Sequence, residues 1–190
     1  MRKPETPFKP TPQQIRDAYG KTVPDLLAPN LKVLFVGINP GLYTAAIGRH
    51  FGRPGNRFWP ALYSSGFTPR LFSPFESERL LDLSIGITNM VQFATLRADE
   101  LTQDQLRAGG KVVIRKIKKF RPRWAAILGV VAYRIAFDSP KAQIGLQRLQ
   151  IGPTRFWVLP NPSGLNAHFT PKTLSRVFGD LRRAVEDSST

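Results

Sequence analysis

A chain of 190 residues, of which 42% are hydrophobic and 13 are phenylalanine, is long enough to form one domain with a real core. The absence of cysteine excludes disulfides, iron–sulfur clusters and thiolate zinc sites. The net charge of +15 favours a polyanionic partner, most often nucleic acid, over a basic surface that binds nothing.

The positive charge is unevenly distributed along the chain. No Asp or Glu occurs in residues 26–75 or 139–179, and these stretches contain the two most loop-like motifs. Excluding acids suits a surface that meets phosphates. No apolar run approaches the roughly 20 residues of a membrane span, and no apolar signal core follows the first residues. We therefore expect a cytoplasmic protein without membrane contact, associated with the nucleoid if the source is bacterial.

The first predicted elements are a tail, a helix and a strand. Residues 1–12 are basic and rich in proline, which predicts a flexible tail before a domain that spans residues 13–187. A short helix follows, with Thr11 as its possible cap, Pro12 in its first turn and Gly20 at its end. The apolar run "LKVLFVG" then predicts a buried strand that ends at Gly37.

The rest of the chain alternates between helices and strands. Asn56 can cap a helix in "NRFWPALYSSG", and Ser73 begins a capping-box pattern in "SPFESERLLDLSIG". Further helices are predicted in "TQDQLRAGGKVVIRKIKKF" and "PKTLSRVFGDLRRAVED". In "WAAILGVVAYRIAF" a strand passes through Gly129 into a helix, and a last strand is predicted over residues 156–159.

This alternation predicts a single α/β domain of three layers, with a central, mainly parallel sheet flanked by helices. Ligands of such sheets bind beyond the carboxyl ends of the strands. The motifs "GINPG" (residues 37–41) and "PNPSG" (residues 160–164) both follow a strand. We therefore expect them in the same crevice, although they lie far apart in sequence.

Three motifs carry a family resemblance: "GINPG" after an apolar strand, "PGNRFW" shortly after it, and "LPNPSG" near the end. In this order and at these spacings they resemble the mismatch-specific uracil/thymine DNA glycosylases. These are the bacterial G:U mismatch glycosylase and its eukaryotic relative, thymine-DNA glycosylase, within the uracil-DNA glycosylase superfamily. The resemblance runs from about Lys21 to the terminal helix.

The resemblance implies a uracil-DNA glycosylase-like fold and a monofunctional hydrolase of base-excision repair. Such an enzyme flips uracil out of double-stranded DNA and removes it from mismatches with guanine, and thymine and ethenocytosine are further candidate substrates. It is expected to act as a monomer on double-stranded DNA, without a metal or a cofactor. Cleaving the N-glycosidic bond produces an oxocarbenium-like sugar and an anionic base, which backbone N–H groups can stabilise.

Asn39 is the candidate catalytic residue. Its amide is no base at neutral pH, but its oxygen can accept a hydrogen bond from water and so aim that water. The resemblance implies the same role. The alternative is that Asn39 only stabilises the turn before Pro40, which is common for Asn-Pro. An amide in place of a carboxylate predicts slow chemistry, because general acid–base help of about 10²–10⁴-fold is missing.

The residues around Asn39 predict a base pocket. By the resemblance, Gly41 replaces a bulky aromatic residue that rejects a 5-methyl group, although a glycine here also suits the backbone angles of a turn. Phe51 matches a base-stacking aromatic residue, with core packing as its alternative. The other candidates implied for the pocket are Ile38 through its backbone N–H, Thr44, Asn161 and, at the pocket edge, Asn89.

The second motif is predicted to contact the DNA duplex. By the resemblance, Gly164, Leu165 and Asn166 form a wedge that fills the gap left by the flipped base and reads the unpaired guanine, an apolar insertion known from other proteins. The alternative for Leu165 is a core position. The candidates for contacts with the DNA backbone are Arg49, Arg53 and His168.

The chain departs from the family at Gln92 and Phe93, where many relatives have an acid and an arginine, and at Ala167, where some have an arginine. Two other functions stay open. One is a non-catalytic module that binds mismatched or distorted DNA, for which Asn39 would have no purpose. The other is a nucleotide-processing enzyme with "GINPG" as a phosphate loop, although no nearby acids could hold Mg²⁺.

Overall fold

The computed structural model describes residues 7–188. Its centre is a sheet with the strand order β2-β1-β3-β5-β4. The strands are β1 (Val33–Gly37), β2 (Ile85–Asn89), β3 (Trp124–Leu128), β4 (Gly145–Ile151) and β5 (Thr154–Leu159). Strand β4 runs antiparallel to β5, and the other three pairings are parallel.

Helices cover both faces of this sheet. Within the described residues they are α1 (Pro12–Arg16), α2 (Leu42–Ile47), α3 (Phe58–Ser64), α4 (Arg79–Asp82), α5 (Gln103–Phe120), α6 (Val130–Ala136) and α7 (Pro171–Asp187). One core cluster joins the sheet to α3 and α7, and a second joins its other face to α5 and α6. The predicted three-layer α/β fold with a mainly parallel sheet is confirmed.

Two of the predicted helix starts carry the expected capping boxes, at Thr11 and Ser73, but the box at Ser73 opens a 3-10 helix (Pro74–Glu76) and α4 begins only at Arg79. Asn56 precedes the N-cap of α3, which is Arg57, although its Oδ1 atom accepts a hydrogen bond of 2.9 Å from the N–H of Phe58. Thr102 forms a further capping box, which was not predicted. Helix α7 spans residues 171–187 as predicted. Helix α1 ends at Arg16, earlier than expected. Side-chain caps therefore mark the starts of α1, α5 and α7, whereas α2, α3, α4 and α6 begin without one.

Of the predicted tail, residues 1–6 lie outside the described residues. Its described part is residues 7–12, of which residues 7–11 have neither helix nor strand and Pro12 begins α1. Pro10 is buried, and the ring centroids of Phe8 and Phe75 lie 6.0 Å apart. The domain boundary after residue 12 stays a prediction.

Helix α2 corrects the expectation of an irregular loop after β1. It begins directly after Gly41, which supplies no capping side chain, and ends at Gly48 with a φ of 65°. The left-handed glycine at the end is a common C-terminal signal, but no side chain marks the start, so the sequence did not reveal this helix. Burial of Ala45 and Ile47 stabilises it instead. Strands β2 and β4 were also not predicted as strands.

The sheet places four strand ends side by side. The carboxyl ends of β1, β2, β3 and β5 are Gly37, Asn89, Leu128 and Leu159. Pairing continues past the ends of β1 and β2, because the N–H groups of residues 90 and 91 donate to the carbonyls of residues 37 and 38, each at 2.8 Å. The loops that leave these strands therefore meet at one edge, as the sequence predicted.

Candidate active site

A cavity of about 360 Å³ opens at this edge of the sheet. The predicted residues that line it are Ile38, Asn39, Gly41, Thr44, Phe51, Arg53, Asn89, Asn161, Leu165 and Asn166. The two loop motifs thus meet in one crevice. Arg49, Gly164 and His168 were also predicted, but they do not line the cavity.

The amide of Asn39 has a defined orientation. Its Nδ2 atom donates to the carbonyl of Phe93 at 3.4 Å and to the hydroxyl oxygen of Thr95 at 2.7 Å. The carbonyl can only accept, and the Thr95 hydroxyl donates its own proton to the carbonyl of Arg97 at 2.7 Å. Both neighbours therefore require a donor from Asn39, and Oδ1 is left to accept a hydrogen bond from another group.

Thr95 lines the cavity but was not predicted as a site residue. It lies 56 positions from Asn39 in sequence. Its N–H donates to the carbonyl of Pro40 at 3.3 Å, and its strand-like pairing with Gly41 joins the two loops. The sequence signal was that Thr95 keeps the threonine of the family pattern two residues after the departures at Gln92 and Phe93. Thr95 thus bonds to the side chain of Asn39 through its hydroxyl and to the neighbouring Pro40 through its backbone.

Gly41 has a φ of −79° and a ψ of 162°, which any residue adopts. The expectation that its backbone angles require glycine is therefore wrong. A Cβ atom at this position would meet no atom within 4 Å, so the absent side chain leaves open space in the cavity. Thr44 is buried, and its hydroxyl accepts a hydrogen bond of 3.2 Å from the N–H of Gly52.

Phe51 has a strained backbone conformation, and its ring is held by packing on a neighbouring ring. Its φ of 53° lies in the left-handed region, where a bulky residue is an outlier. Its ring stacks on that of the buried Phe58 with 4.0 Å between centroids and an interplanar angle of 26°. Strained residues of this kind persist where the surrounding structure determines them, often in binding sites. The ring thus packs on the core and also lines the cavity.

Asn89 is 3% exposed at the end of β2, and the buried His50 lies beside it in the cavity wall. The Nδ2 atom of Asn89 lies 3.4 Å from Nδ1 of His50, whose Nε2 atom lies 2.9 Å from the carbonyl of Pro24. Burial lowers the pKa of His50, which favours the neutral ring. His50 was not among the predicted site residues, because a lone histidine beside an arginine carries no distinctive signal.

Leu165 is 68% exposed at the cavity mouth, in the loop of residues 160–169. This excludes the core position that the sequence left open. The loop follows β5 and packs closely against residues 53–56, since a Cβ atom at Gly164 would lie 2.5 Å from the carbonyl oxygen of Gly55. The amide of Asn166 donates to the carbonyl of Asn161 at 3.0 Å, so that side chain braces the loop.

Arg57 binds the loop of residues 160–169 through several hydrogen bonds and was not predicted as a site residue. Its guanidinium donates to the carbonyls of Ser163 at 2.5 Å and Asn166 at 2.7 Å, and also to that of Phe169. Its backbone N–H donates to the carbonyl of Pro162 at 2.9 Å. One residue at the start of α3 thus satisfies four carbonyls of a loop without regular secondary structure.

The predicted basic residues differ in position. Arg53 is exposed at the cavity, where a phosphate could reach it. Arg49 is mostly buried, with a side chain 17% exposed, and its guanidinium lies 3.6 Å from the carboxylate of Glu78. His168 is exposed but stands away from the cavity lining.

The loop after β2 brings a carboxylate to the cavity, which corrects the expectation of a site without acids. Asp99 lines the cavity, and Arg97 holds both of its oxygens through bonds of 3.1 Å and 2.8 Å. The exposed Leu96 lies in the same lining. The acid-free stretch around "GINPG" conceals this because the carboxylate comes from another part of the chain.

Within residues 7–188 the structure contains no cluster of three or more His, Cys, Asp or Glu side chains suited to a metal. In the same part of the chain, none of the helices combines the length and the apolar character that a bilayer crossing requires.

Two comparisons with known proteins agree with this geometry. The family model of the uracil DNA glycosylase superfamily matches residues 24–182, a range that includes the whole cavity lining. Among solved structures, the chain is similar to the solution NMR structure of a candidate uracil DNA glycosylase from Methanosarcina acetivorans. The TM-score is 0.53 at 18% identity, and the match covers 88% of this chain and 98% of that one. At that identity, the likeness shows the shared fold.

Proposed function

The chain belongs to the uracil DNA glycosylase superfamily, and from this premise we propose that it removes uracil from mismatches with guanine in double-stranded DNA. The superfamily makes it a DNA glycosylase, a hydrolase of DNA repair. The finer proposal is a monofunctional enzyme of base-excision repair, acting on a flipped nucleotide. It needs neither metal nor cofactor, acts as a monomer and works in the cytoplasm.

The observation that carries this proposal is the fixed amide of Asn39 in the cavity wall. Because Nδ2 is bonded to Phe93 and Thr95, Oδ1 can accept a hydrogen bond from water and aim the water at the sugar. The base leaves as an anion, which nearby backbone N–H groups, including that of Ile38, can stabilise. An amide takes up no proton, so this chemistry depends on positioning and is slow.

The base itself would lie against Phe51, whose ring replaces the stacking lost from the duplex. The amide of Asn89 can bond to the edge of the base, and Asn161 and Thr44 complete the polar lining. The open space at Gly41 would admit substituents at the 5 position. Thymine, which carries a 5-methyl group, is therefore proposed as a further substrate, whereas ethenocytosine, whose added bridge joins N3 and N4, gains nothing from this space.

Leu165 would enter the gap that the flipped nucleotide leaves in the helix. Unstacking costs a few kcal/mol, and an apolar side chain in the gap offsets part of that cost. The backbone of Gly164 and Asn166 would then face the unpaired guanine, because the Asn166 side chain is already bonded within its loop. Arg53 and His168 are the exposed candidates for phosphate contacts.

A non-catalytic module for distorted DNA would share the basic charge and the exposed leucine. It would have no need to hold the Asn39 amide in one orientation with the hydroxyl of Thr95. This bond favours the enzyme.

The test is release of free uracil from a duplex that contains one G:U pair, under single-turnover conditions with EDTA present. We expect uracil release in EDTA at the same rate as without it. A:U and G:T duplexes measure the preference for the mismatch and for the unmethylated base. If no uracil is released with or without EDTA, the proposed function is wrong and the binding module is favoured.

A further inference from the structure

His50 has no role in the function proposed above, although its ring lies in the cavity wall. The side chain is 4% exposed, and Nε2 lies 2.9 Å from the carbonyl oxygen of Pro24. Since a carbonyl can only accept, Nε2 must carry the proton. In the neutral imidazole, Nδ1 is then an acceptor that points towards Asn89.

The side-chain amide of Asn89 faces this acceptor nitrogen with its Nδ2 end. Its Nδ2 atom lies 3.4 Å from Nδ1 of His50, so Nδ2 is the atom of the amide that belongs on this side. Its Oδ1 atom lies over Gly37, where a Cβ atom would come within 2.4 Å of it. The Pro24 carbonyl therefore sets the His50 tautomer, and the tautomer sets which end of the Asn89 amide donates.

We propose that His50 is a positioning residue that locks the Asn89 amide in one orientation and thereby makes the pocket select uracil-type bases over cytosine. The inference rests on the proposed function, because it assigns Asn89 to the edge of the flipped base. Uracil and thymine present an N3–H donor beside a carbonyl acceptor. The Oδ1 atom of Asn89 and the second hydrogen on Nδ2 match this pair. Cytosine presents the reverse pattern, an N3 acceptor beside an amino donor.

Selection of uracil over cytosine depends on this fixed orientation, because an amide that turns freely can form hydrogen bonds with either base. A turned amide would place Oδ1 towards the bare Nδ1 of His50, where two acceptors repel and a buried polar pair loses its bond. Excluding cytosine matters for a DNA glycosylase because cytosine is a normal base in every duplex.

The surroundings of His50 keep its ring neutral. Asp25 follows Pro24, and its carboxylate is bonded to Lys116 at 2.5 Å and to the Thr88 hydroxyl at 2.6 Å. Burial has the largest effect and lowers the pKa of His50. The charge of Asp25 raises this pKa, and the charge of Lys116 lowers it. The hydrogen bond to the Pro24 carbonyl raises the pKa of His50, but burial outweighs it. Arg53, Arg97 and Asp99 are the other charged residues that line the cavity. The neutral tautomer is therefore the form present at neutral pH.

The experiment measures binding to duplexes with a non-cleavable 2′-fluoro deoxyuridine or 2′-fluoro deoxycytidine opposite an abasic site, so that base pairing does not contribute. We expect the wild-type protein to prefer the uridine duplex. In His50→Phe the ratio of the two affinities should fall roughly tenfold, the effect of one hydrogen bond. In His50→Gln the ratio should be retained, because a side-chain amide offers a donor to Pro24 and an acceptor to Asn89.

An unchanged ratio in His50→Phe would overturn the inference. An equal fall in both variants, with thermal stability retained, would also overturn it, since selection would then follow the shape of the ring and not its nitrogens.

A pH series on the wild-type protein tests the same point without a substitution. Protonation puts a hydrogen on Nδ1, which then faces the Nδ2 hydrogens of Asn89 and forces the amide to turn. The preference for uridine should hold at neutral pH and fall as the pH drops through the lowered pKa of His50. His50→Gln corrects for protonation of cytosine itself. Identical pH profiles of the two proteins would contradict the inference.

The two proposals fail separately. Uracil release by the wild-type protein tests the proposed function. The ratio of the affinities for the uridine and cytidine duplexes tests only whether His50 fixes the Asn89 amide. A wild-type enzyme that releases uracil, together with a His50→Phe variant of unchanged ratio, would leave the function standing and remove His50 from it.

Discussion

At the scale of single residues, the site consists of polar atoms whose partners determine what remains available. Asn39 is the clearest case, because two bonds at Nδ2 leave Oδ1 for water. Asp99 contrasts with it, since Arg97 occupies both oxygens of its carboxylate and the side chain is 64% exposed. An exposed carboxylate in a bidentate ion pair is poorly suited to accept a proton from water. The geometry therefore favours the amide over the acid.

This comparison predicts the effect of two substitutions. Asn39→Ala should reduce single-turnover excision of uracil to the limit of detection and leave binding to the mismatched duplex within a few-fold, because the amide positions water and contributes little affinity. Asp99→Asn, the matched control in the same cavity, should change excision by less than about tenfold. Loss of activity in Asp99→Asn equal to that in Asn39→Ala would instead identify the carboxylate as the base.

At the scale of elements, the loop of residues 160–169 shows how irregular backbone is held by hydrogen bonds and close packing. Arg57 bonds to four of its carbonyls, and Gly164 lets the backbone approach Gly55 closely. Carbonyls near a protein surface need such partners because unpaired polar groups are costly when water is excluded. This bracing keeps Leu165 exposed at the cavity mouth although no helix or strand carries it.

A loop held in this way predicts a specific effect for Leu165→Ala. Excision from duplexes should slow, more for a stable A:U pair than for G:U, because the mismatch is already easier to open. The effect should shrink on single-stranded DNA, where no helix needs to be held open. Thermal stability should hardly change for so exposed a side chain. Leu146→Ala is the control, since Leu146 is 52% exposed on β4 and does not line the cavity.

The opposite result would be an unstable Leu165→Ala protein with an equal loss of activity on every substrate. A core leucine behaves in this way, because its truncation costs about 2–5 kcal/mol of the free energy of unfolding.

At the scale of the whole molecule, the net charge of +15 is the property that acts over the longest distance. It attracts DNA at long range, and counterions leave the DNA as basic side chains approach the phosphates. The charge does not act evenly, since some arginines are already paired within the protein. Arg49 lies beside Glu78, whereas Arg53 is exposed at the cavity.

Binding to a mismatched duplex should therefore weaken steeply with salt. The slope of log affinity against log salt concentration should be about −0.9 per phosphate neutralised. Arg53→Ala should make the slope shallower by about 1, whereas Arg49→Ala should leave it unchanged. Titrations at four or five salt concentrations would measure this. An affinity that barely depends on salt would contradict an electrostatic origin of DNA binding.

The sequence by itself determined the fold class and the ends of some elements, such as the end of β1 and the bounds of α7. Apolar runs such as residues 31–37 predict buried strands, and capping residues such as Thr11 mark helix starts, because both signals act over a few neighbouring residues. The alternation of strands and helices then brings "GINPG" and "PNPSG" to one edge of a parallel sheet. The position of Asn39 at the cavity followed from this order.

The tertiary structure alone decided which partners meet there. Helix α2 has no capping side chain at its start and depends on burial, so the glycine at its end was not enough to reveal it. The bond from Asn39 to Thr95 spans 56 positions, and that from His50 to Pro24 spans 26. Asp99 likewise enters the cavity from a distant loop. Such contacts depend on how the strands are ordered and how the loops pack. Local sequence patterns do not contain the distances between segments that only the folded chain brings together.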